Sequence, residues 1–285
     1  MILWCDGAHD PLENMRRDAL LLARAGGEGD VAPVLRLFRF QPHGITLGYA
    51  QRAEHELDLD RCRADQIPWA VRPTGGRAIF HAEEWTYSLA ARLDDPDWGG
   101  TLTQAYGAIA DLLVRALIRL GVPARHSAPS DRRAPGDAAA HRPVVAHRGE
   151  AESAGAVTAT ARSVAAPCFA STARHEVVLE GRKLIGSAQR RTARALLQQG
   201  SLLLGNGHLR LTDYLAIPEG ARAAARAALD ARSHGAHAFF GSDPPLEDWG
   251  DALMRELPGA RRLDGAAGLF LLTPPEPGSY TAAPR

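Results

Sequence analysis

Lysine is almost missing from this chain: of 33 basic residues only Lys183 is a lysine, and the rest are arginine. Whatever bias removed lysine elsewhere spared one position, which suggests a site where a compact ammonium does something a planar guanidinium cannot. Cysteine is scarce as well. Cys5, Cys62 and Cys168 are odd in number and far apart, with no Cys-x-x-Cys pair and no zinc-ligand spacing with histidine, so neither a disulfide framework nor a bound metal is expected. No apolar run approaches the ~20 residues of a membrane span, and the first residues meet Asp6 before any leader-like stretch, so the expectation is a cytoplasmic protein without a membrane anchor. Net charge is missing too. The 33 acidic residues cancel the 33 basic ones, removing the general field that nucleic-acid binding uses. Nothing resembles a Walker loop, a Gly-x-Ser-x-Gly elbow or a dinucleotide fingerprint.

What is present is enough for a sizeable core, since 45% of the 285 residues are apolar. Helical and strand periods alternate without a repeat, which predicts a mixed α and β domain spanning 1–285. Helices are expected at 14–25, opened by Asp10-Pro11 and closed by Gly26-Gly27, at 58–63, 103–120, 221–231 and 246–257. Strands are expected at 34–40, 45–48, 78–81, 85–91, 175–179, 182–189, 196–204 and 268–273, with Glu180-Gly181 turning a hairpin. Residues 126–166 hold no aromatic, leucine or isoleucine. That segment reads as a mobile insertion, either a lid or an inert spacer.

Three features carry candidate chemistry. Lys183 lies in the second hairpin arm, where a period of two places it with Ile185, Ser187 and Gln189 on one face, opposite Leu184, Gly186 and Ala188. It either snorkels at a sheet edge or works in a pocket. Cys168 ends the insertion close to this lysine, and a nearby ammonium would favour its thiolate, whereas Cys5 and Cys62 read as small buried hydrophobes. The third is Arg72-Pro73-Thr74-Gly75-Gly76-Arg77, a turn whose glycines allow close backbone approach and whose arginines suit an anionic or acyl-carrier partner. His81 follows, as an acid–base group or a structural hydrogen-bonding residue.

The segments 72–81 and 181–189 resemble the two signatures of the lipoate-protein ligase and octanoyltransferase family, relatives of biotin-protein ligase, with supporting likenesses at 13–15, 45–51 and 199–204. The resemblance covers roughly residues 1–205 apart from the insertion. It implies an α+β fold with curved mixed sheets flanked by helices. Because Cys168-Phe169 and Glu176 stand where the ATP-dependent ligases carry an asparagine–aspartate pair, the chain looks most like the cysteine-dependent octanoyltransferases. That implies Cys168 as nucleophile, Lys183 lowering its pKa, and substrate contacts at Arg72, Gly75, Gly76, Arg77, His81, Gly186, Ser187 and Ala188. Gln199 stands where histidine is common in the family.

On this resemblance the expected reaction passes an octanoyl group from acyl carrier protein to Cys168, then to a lysine of a lipoyl-domain protein, without cofactor or metal. Backbone amides around Gly75-Gly76 and Gly186-Ser187 are candidates for the oxyanion, each such donor being worth ~2.7 to 4 kcal/mol. Ile79, Leu184 and Ile185 are candidates for the acyl tunnel. Arg190, Arg191 and Arg194 either receive an acidic carrier or form an ordinary solvated turn. Three alternatives remain: an ATP-dependent lipoate ligase, a transferase moving acyl groups between lipoyl-domain proteins, and a catalytically silent module that binds lipoylated carriers.

Overall fold

A computed structural model describes residues 1–29, 31–128, 176–241 and 244–273. The strands are β1 (Ile2–His9), β2 (Val34–Phe40), β3 (Gly44–Leu47), β4 (Trp69–Val71), β5 (Ile79–His81), β6 (Glu84–Arg92), β7 (Arg125–His126), β8 (Val177–Leu179), β9 (Arg182–Arg191), β10 (Ala195–Leu203) and β11 (Arg261–Asp264). The helices are α1 (Pro11–Ala25), α2 (Ala53–Glu56), α3 (Leu59–Ala64), α4 (Leu102–Arg119), α5 (Leu211–Tyr214), α6 (Glu219–Asp230), α7 (His237–Phe240) and α8 (Leu246–Glu256). None among the described residues is long and apolar enough to cross a membrane.

Eight strands form one mixed sheet in the order β11-β1-β2-β6-β10-β9-β8-β7, with β1 parallel to both β2 and β11. Three more form a small sheet, β4-β3-β5. The alternation of strand side chains decides which face each residue serves. Leu3, Leu35, Leu37, Trp85 and Leu89 pack on the face covered by α4 and α8, where Trp85 stacks on Trp249. Ile2, Trp4, Val34 and Leu197 face the other way, toward Leu21 and Leu22 of α1.

Helix α1 begins where expected, with the Asp10 side chain accepting from the Glu13 amide and Pro11 in the first turn. Its buried face is not all apolar. Asp18 and Asn14 are wholly buried and meet the buried Arg36 of β2, which donates from Nη1 to Asp18 at 2.7 Å and from Nη2 to the Asn14 side chain at 2.6 Å. Arg36 Nε also donates to Asp6 of β1 at 2.7 Å. A guanidinium in a strand core is tolerable because carboxylates and an amide occupy its donors.

The expected helices and strands are present within a few residues, with one error and several omissions. Residues 268–273 form part of a 3-10 helix, Gly265–Leu272, and not a strand. There Gly268 lies flat on Trp4, with no room for a Cβ, and the indole Nε1 donates to the Gly265 carbonyl at 2.8 Å. The strands β1, β4, β7 and β11 and the short helices α2, α5 and α7 went unrecognised. The insertion also starts later than expected, since His126 pairs with Val177 in the sheet; its remainder from 129 lies outside the described residues.

Candidate active site

The loop at 72–77 is shaped by its own first residue. Arg72 is buried and clasps the turn, donating to the Gly75 carbonyl (Nη2, 2.8 Å), the Arg77 carbonyl (Nη2, 2.8 Å) and the Thr46 carbonyl of β3 (Nη1, 3.2 Å). Gly76 adopts a φ of 93°, and a Cβ on it would strike the Arg72 guanidinium at 2.7 Å. The loop therefore closes over its own arginine. Thr74, wholly buried, donates its hydroxyl to Gln199 Oε1 of β10 at 2.6 Å, and Gln199 Nε2 donates onward to Asp18.

His81 is enclosed. Its ring stacks on Phe40 at 3.8 Å, Nδ1 donates to Glu84 Oε1 at 2.6 Å, and Nε2 stands 2.7 Å from Thr46 Oγ1. With Nδ1 on the carboxylate, Nε2 shares its hydrogen bond with the Thr46 hydroxyl. Thr86 and Ser201 donate to the same Glu84 oxygen. His81 is thus oriented from two sides.

The second signature occupies β9. Strand β8 pairs only with its beginning, so from Gly186 onward one edge of β9 has no strand partner among the described residues. A bulge opposite Val177 and Val178 admits Leu184 as an extra residue, and both Leu184 and Ile185 enter the main core. This corrects one expectation, since the simple alternation along 183–189 does not hold, and neither residue borders the cavity described next. Ile79 does border it.

That cavity is about 40 Å³ in volume. Gly186, Ser187 and Ala188 of β9 form one wall, Gln199, Gly200 and Ser201 of β10 the next, and Arg72, His81 and Met15 close it. Gly200 is needed: a Cβ there would meet the Tyr87 ring at 2.5 Å and Ser187 Oγ at 2.6 Å. Ser187 bonds through Oγ to the Tyr87 hydroxyl at 2.8 Å, so its hydroxyl is engaged away from the cavity. The cavity thus brings Arg72 and His81 beside Gly186, Ser187 and Ala188, and a Cβ on Gly76 would lie 3.8 Å from that of Ala188, whereas Gly75 and Arg77 do not border it.

Lys183 is 2% exposed, and its Nζ lies 2.6 Å from Glu176 Oε1. It does not snorkel. Cys168 lies outside the described residues. Cys5 and Cys62 are buried; burial pushes the Cys5 thiol up to about 12, against the pull of Arg262, and raises Cys62 as well. Arg190 stacks over Tyr49 at 4.2 Å and Arg191 donates to the Gly100 carbonyl, while Arg194 is exposed.

Reasoning from sequence passed over Thr46, Glu84 and Asp18, and gave Met15 and Gln199 no role at the site. Asp18, an acid among apolar positions on one helix face, was the one legible signal.

A ligase-type sheet carrying these two glycine-bearing segments around one cavity defines the class. Residues 10–258 match the family of the lipoyl protein ligase A/B catalytic domain, and the chain belongs to it. Among curated relatives it is 37% identical over 187 residues to "Octanoyltransferase LipM" of Kyrpidia tusciae, an alignment covering 66% of this chain and 59% of that one. To the protein of the same name in Lysinibacillus sphaericus it is 32% identical, over 70% of this chain and 63% of that one. The chain thus spans about three fifths of these relatives' lengths. Its fold is similar to that of a chain from a structural analysis of an archaeal lipoylation system, a bipartite lipoate protein ligase and its E2 lipoyl domain from Thermoplasma acidophilum (TM-score 0.62, 21% identity, 95% of this chain and 89% of that one). A lipoate-protein ligase A bound with ATP is similar to the same degree (TM-score 0.61, 19% identity, 95% and 92% covered).

Proposed function

We propose that residues 1–285 act as one cytoplasmic catalytic domain that transfers an octanoyl group from acyl carrier protein to a lysine of a lipoyl-domain protein by way of a Cys168 thioester. The Cys168 thiolate adds to the donor's thioester carbonyl and expels the carrier thiolate, which takes up a proton. The acceptor lysine, as free amine, then attacks the acyl-enzyme, expels the Cys168 thiolate and loses a proton. Arg72, Gly75, Gly76, Arg77, His81, Gly186, Ser187 and Ala188 serve as the substrate-binding surface, and the edge of β9 beyond Gly186 offers backbone amides for the oxyanion. Neither metal nor cofactor takes part.

The observation that carries this reading is the burial of the chain's single lysine against Glu176. Cys168 precedes Glu176 by eight residues, a path of at most about 28 Å, and a buried ammonium within reach lowers a thiol pKa. Support comes also from the relatives' names and from the high thiol pKa of Cys5 and of Cys62. Intact-mass spectrometry after incubation with octanoyl carrier protein tests it. An octanoyl adduct that maps to Cys168 and is discharged by a lipoyl-domain acceptor is expected. Transfer that requires ATP and free octanoate, with no acyl-enzyme, would overturn it in favour of a ligase.

A further inference from the structure

The geometry points to Met15 as the residue that sets acyl-chain length, an inference that rests on the proposed transfer and concerns the same cavity. Outside that cavity runs a groove of about 1080 Å³ between α1 and the strand ends, bordered by Leu12, Ala19, Tyr49, Val71 and Arg194. Cavity and groove share only two lining residues, Met15 and Arg72. Arg72 is fixed by bonds to three backbone carbonyls. Met15, 5% exposed, makes a polar contact through Sδ, 3.5 Å from Gln199 Nε2. The wall between the two spaces is therefore one rigid side chain and one flexible thioether with three rotatable bonds.

Strand register sets the direction of the chain. Gly186 pairs with Ser201 toward the Lys183 end of β9, and Ala188 pairs with Gln199 two residues farther along. Met15 touches Gln199, so it stands at the end of the cavity away from Lys183. An acyl group whose carbonyl lies near Lys183 has its terminal methyl against Met15. A volume of about 40 Å³ holds a few waters and not an octanoyl chain, so the cavity widens as the chain enters, and Met15 is the adaptable part of its boundary.

The test compares octanoyl, dodecanoyl and hexadecanoyl thioesters of carrier protein as donors for the full chain, alongside equilibrium binding of the three free fatty acids. Met15→Ala joins cavity to groove, and its dodecanoyl-to-octanoyl rate ratio is expected to rise about tenfold or more, the scale one misfitted methylene can command in a closed apolar pocket. Met15→Leu retains the wall and should keep the wild-type ratio. A folded Met15→Ala protein with an unchanged ratio overturns the assignment. If the wild type transfers no acyl group from any thioester, the proposed function fails instead, and the binding series still decides: Met15→Ala must gain affinity for the longer acids relative to octanoate, or the wall is not Met15.

Discussion

The Thr74 hydroxyl donates to Gln199 Oε1 at 2.6 Å, so a neutral amide ties the glycine loop to the buried charges beneath α1. Gln199 can do this only because it also donates, through Nε2, to Asp18. Asp18 in turn holds Arg36 at 2.7 Å and accepts from Ser88 at 2.6 Å. The loop that bears Gly75 and Gly76 is thereby anchored to the large sheet, to which Arg190 Nη1 of β9 adds a bond to the Pro73 carbonyl at 3.4 Å.

Replacing Gln199 with glutamate should therefore make activity depend on pH in a new way. A carboxylate there cannot donate to Asp18 and faces it as a like charge in a buried place, which raises the new group's pKa. Only its protonated form reproduces both bonds. Transfer by Gln199→Glu is expected to fall at least about tenfold near pH 8 and to recover as pH is lowered, relative to wild type at each pH; one broken buried hydrogen bond to a charge is of that size. A pH–rate series taken below the melting temperature checks it, and a constant ratio to wild type would show that the bridge does not matter.

The pair formed by Lys183 and Glu176 leads to a second expectation. Lys183→Ala leaves a buried carboxylate without its cation, and breaking such a pair costs about 3–5 kcal/mol, readable by urea unfolding. Lys183→Met with Glu176→Gln, which removes both charges, should recover much of that stability and none of the activity. On the proposed mechanism the same variants raise the pKa of Cys168, seen as a shift of the pH midpoint of thiol alkylation to higher pH. An unmoved midpoint would remove Lys183 from the activation of the thiol.

Much of the site was legible because two segments carry unusual residues at short spacing: a lone lysine between glycines, and Pro-Thr-Gly-Gly between arginines. Their convergence around one cavity was not legible, since it depends on the pairing of β3 with β5 and on the long-range pairing of β6 with β10. Strand β1 was overlooked because it contains an acid. Asp6 is buried in it because Arg36 and Arg17, distant in sequence, both pair with it. The bulge at Leu184, opposite Val177 and Val178, likewise cannot be read from a period of two.

Arg36 supplies the third prediction. Its donors reach Asp6, Asp18 and Asn14, so Arg36→Leu takes the arginine from buried Asp18 and leaves Asp6 with Arg17 alone of its two arginines. Destabilisation of about 3–5 kcal/mol is expected in chemical denaturation, partly relieved at low pH as those acids take up protons. The effect should extend to the site through Asp18 and Gln199, raising KM for the acyl donor in the folded fraction. Loss of stability with an unaltered KM would confine Arg36 to the core.

His208 provides a separate pH signature. It is 2% exposed, its Nε2 lies 2.8 Å from Ser233 Oγ, and that hydroxyl donates to the Leu229 carbonyl, so Nε2 carries the proton of the neutral ring. Burial is the main cause that lowers its pKa to about 4, from 6.5 for the free side chain. The unfolded chain therefore binds a proton below pH 6.5 that the folded chain refuses until about pH 4. Stability contributed by this group is complete above pH 6.5 and declines through that window, by about 3 kcal/mol in all at roughly 1.4 kcal/mol per pH unit. His208→Gln, which can still donate to Ser233 and does not titrate, should flatten the slope of unfolding free energy between pH 6.5 and 4 by about one proton. If wild type and variant lose stability in parallel across that range, His208 is not the group responsible.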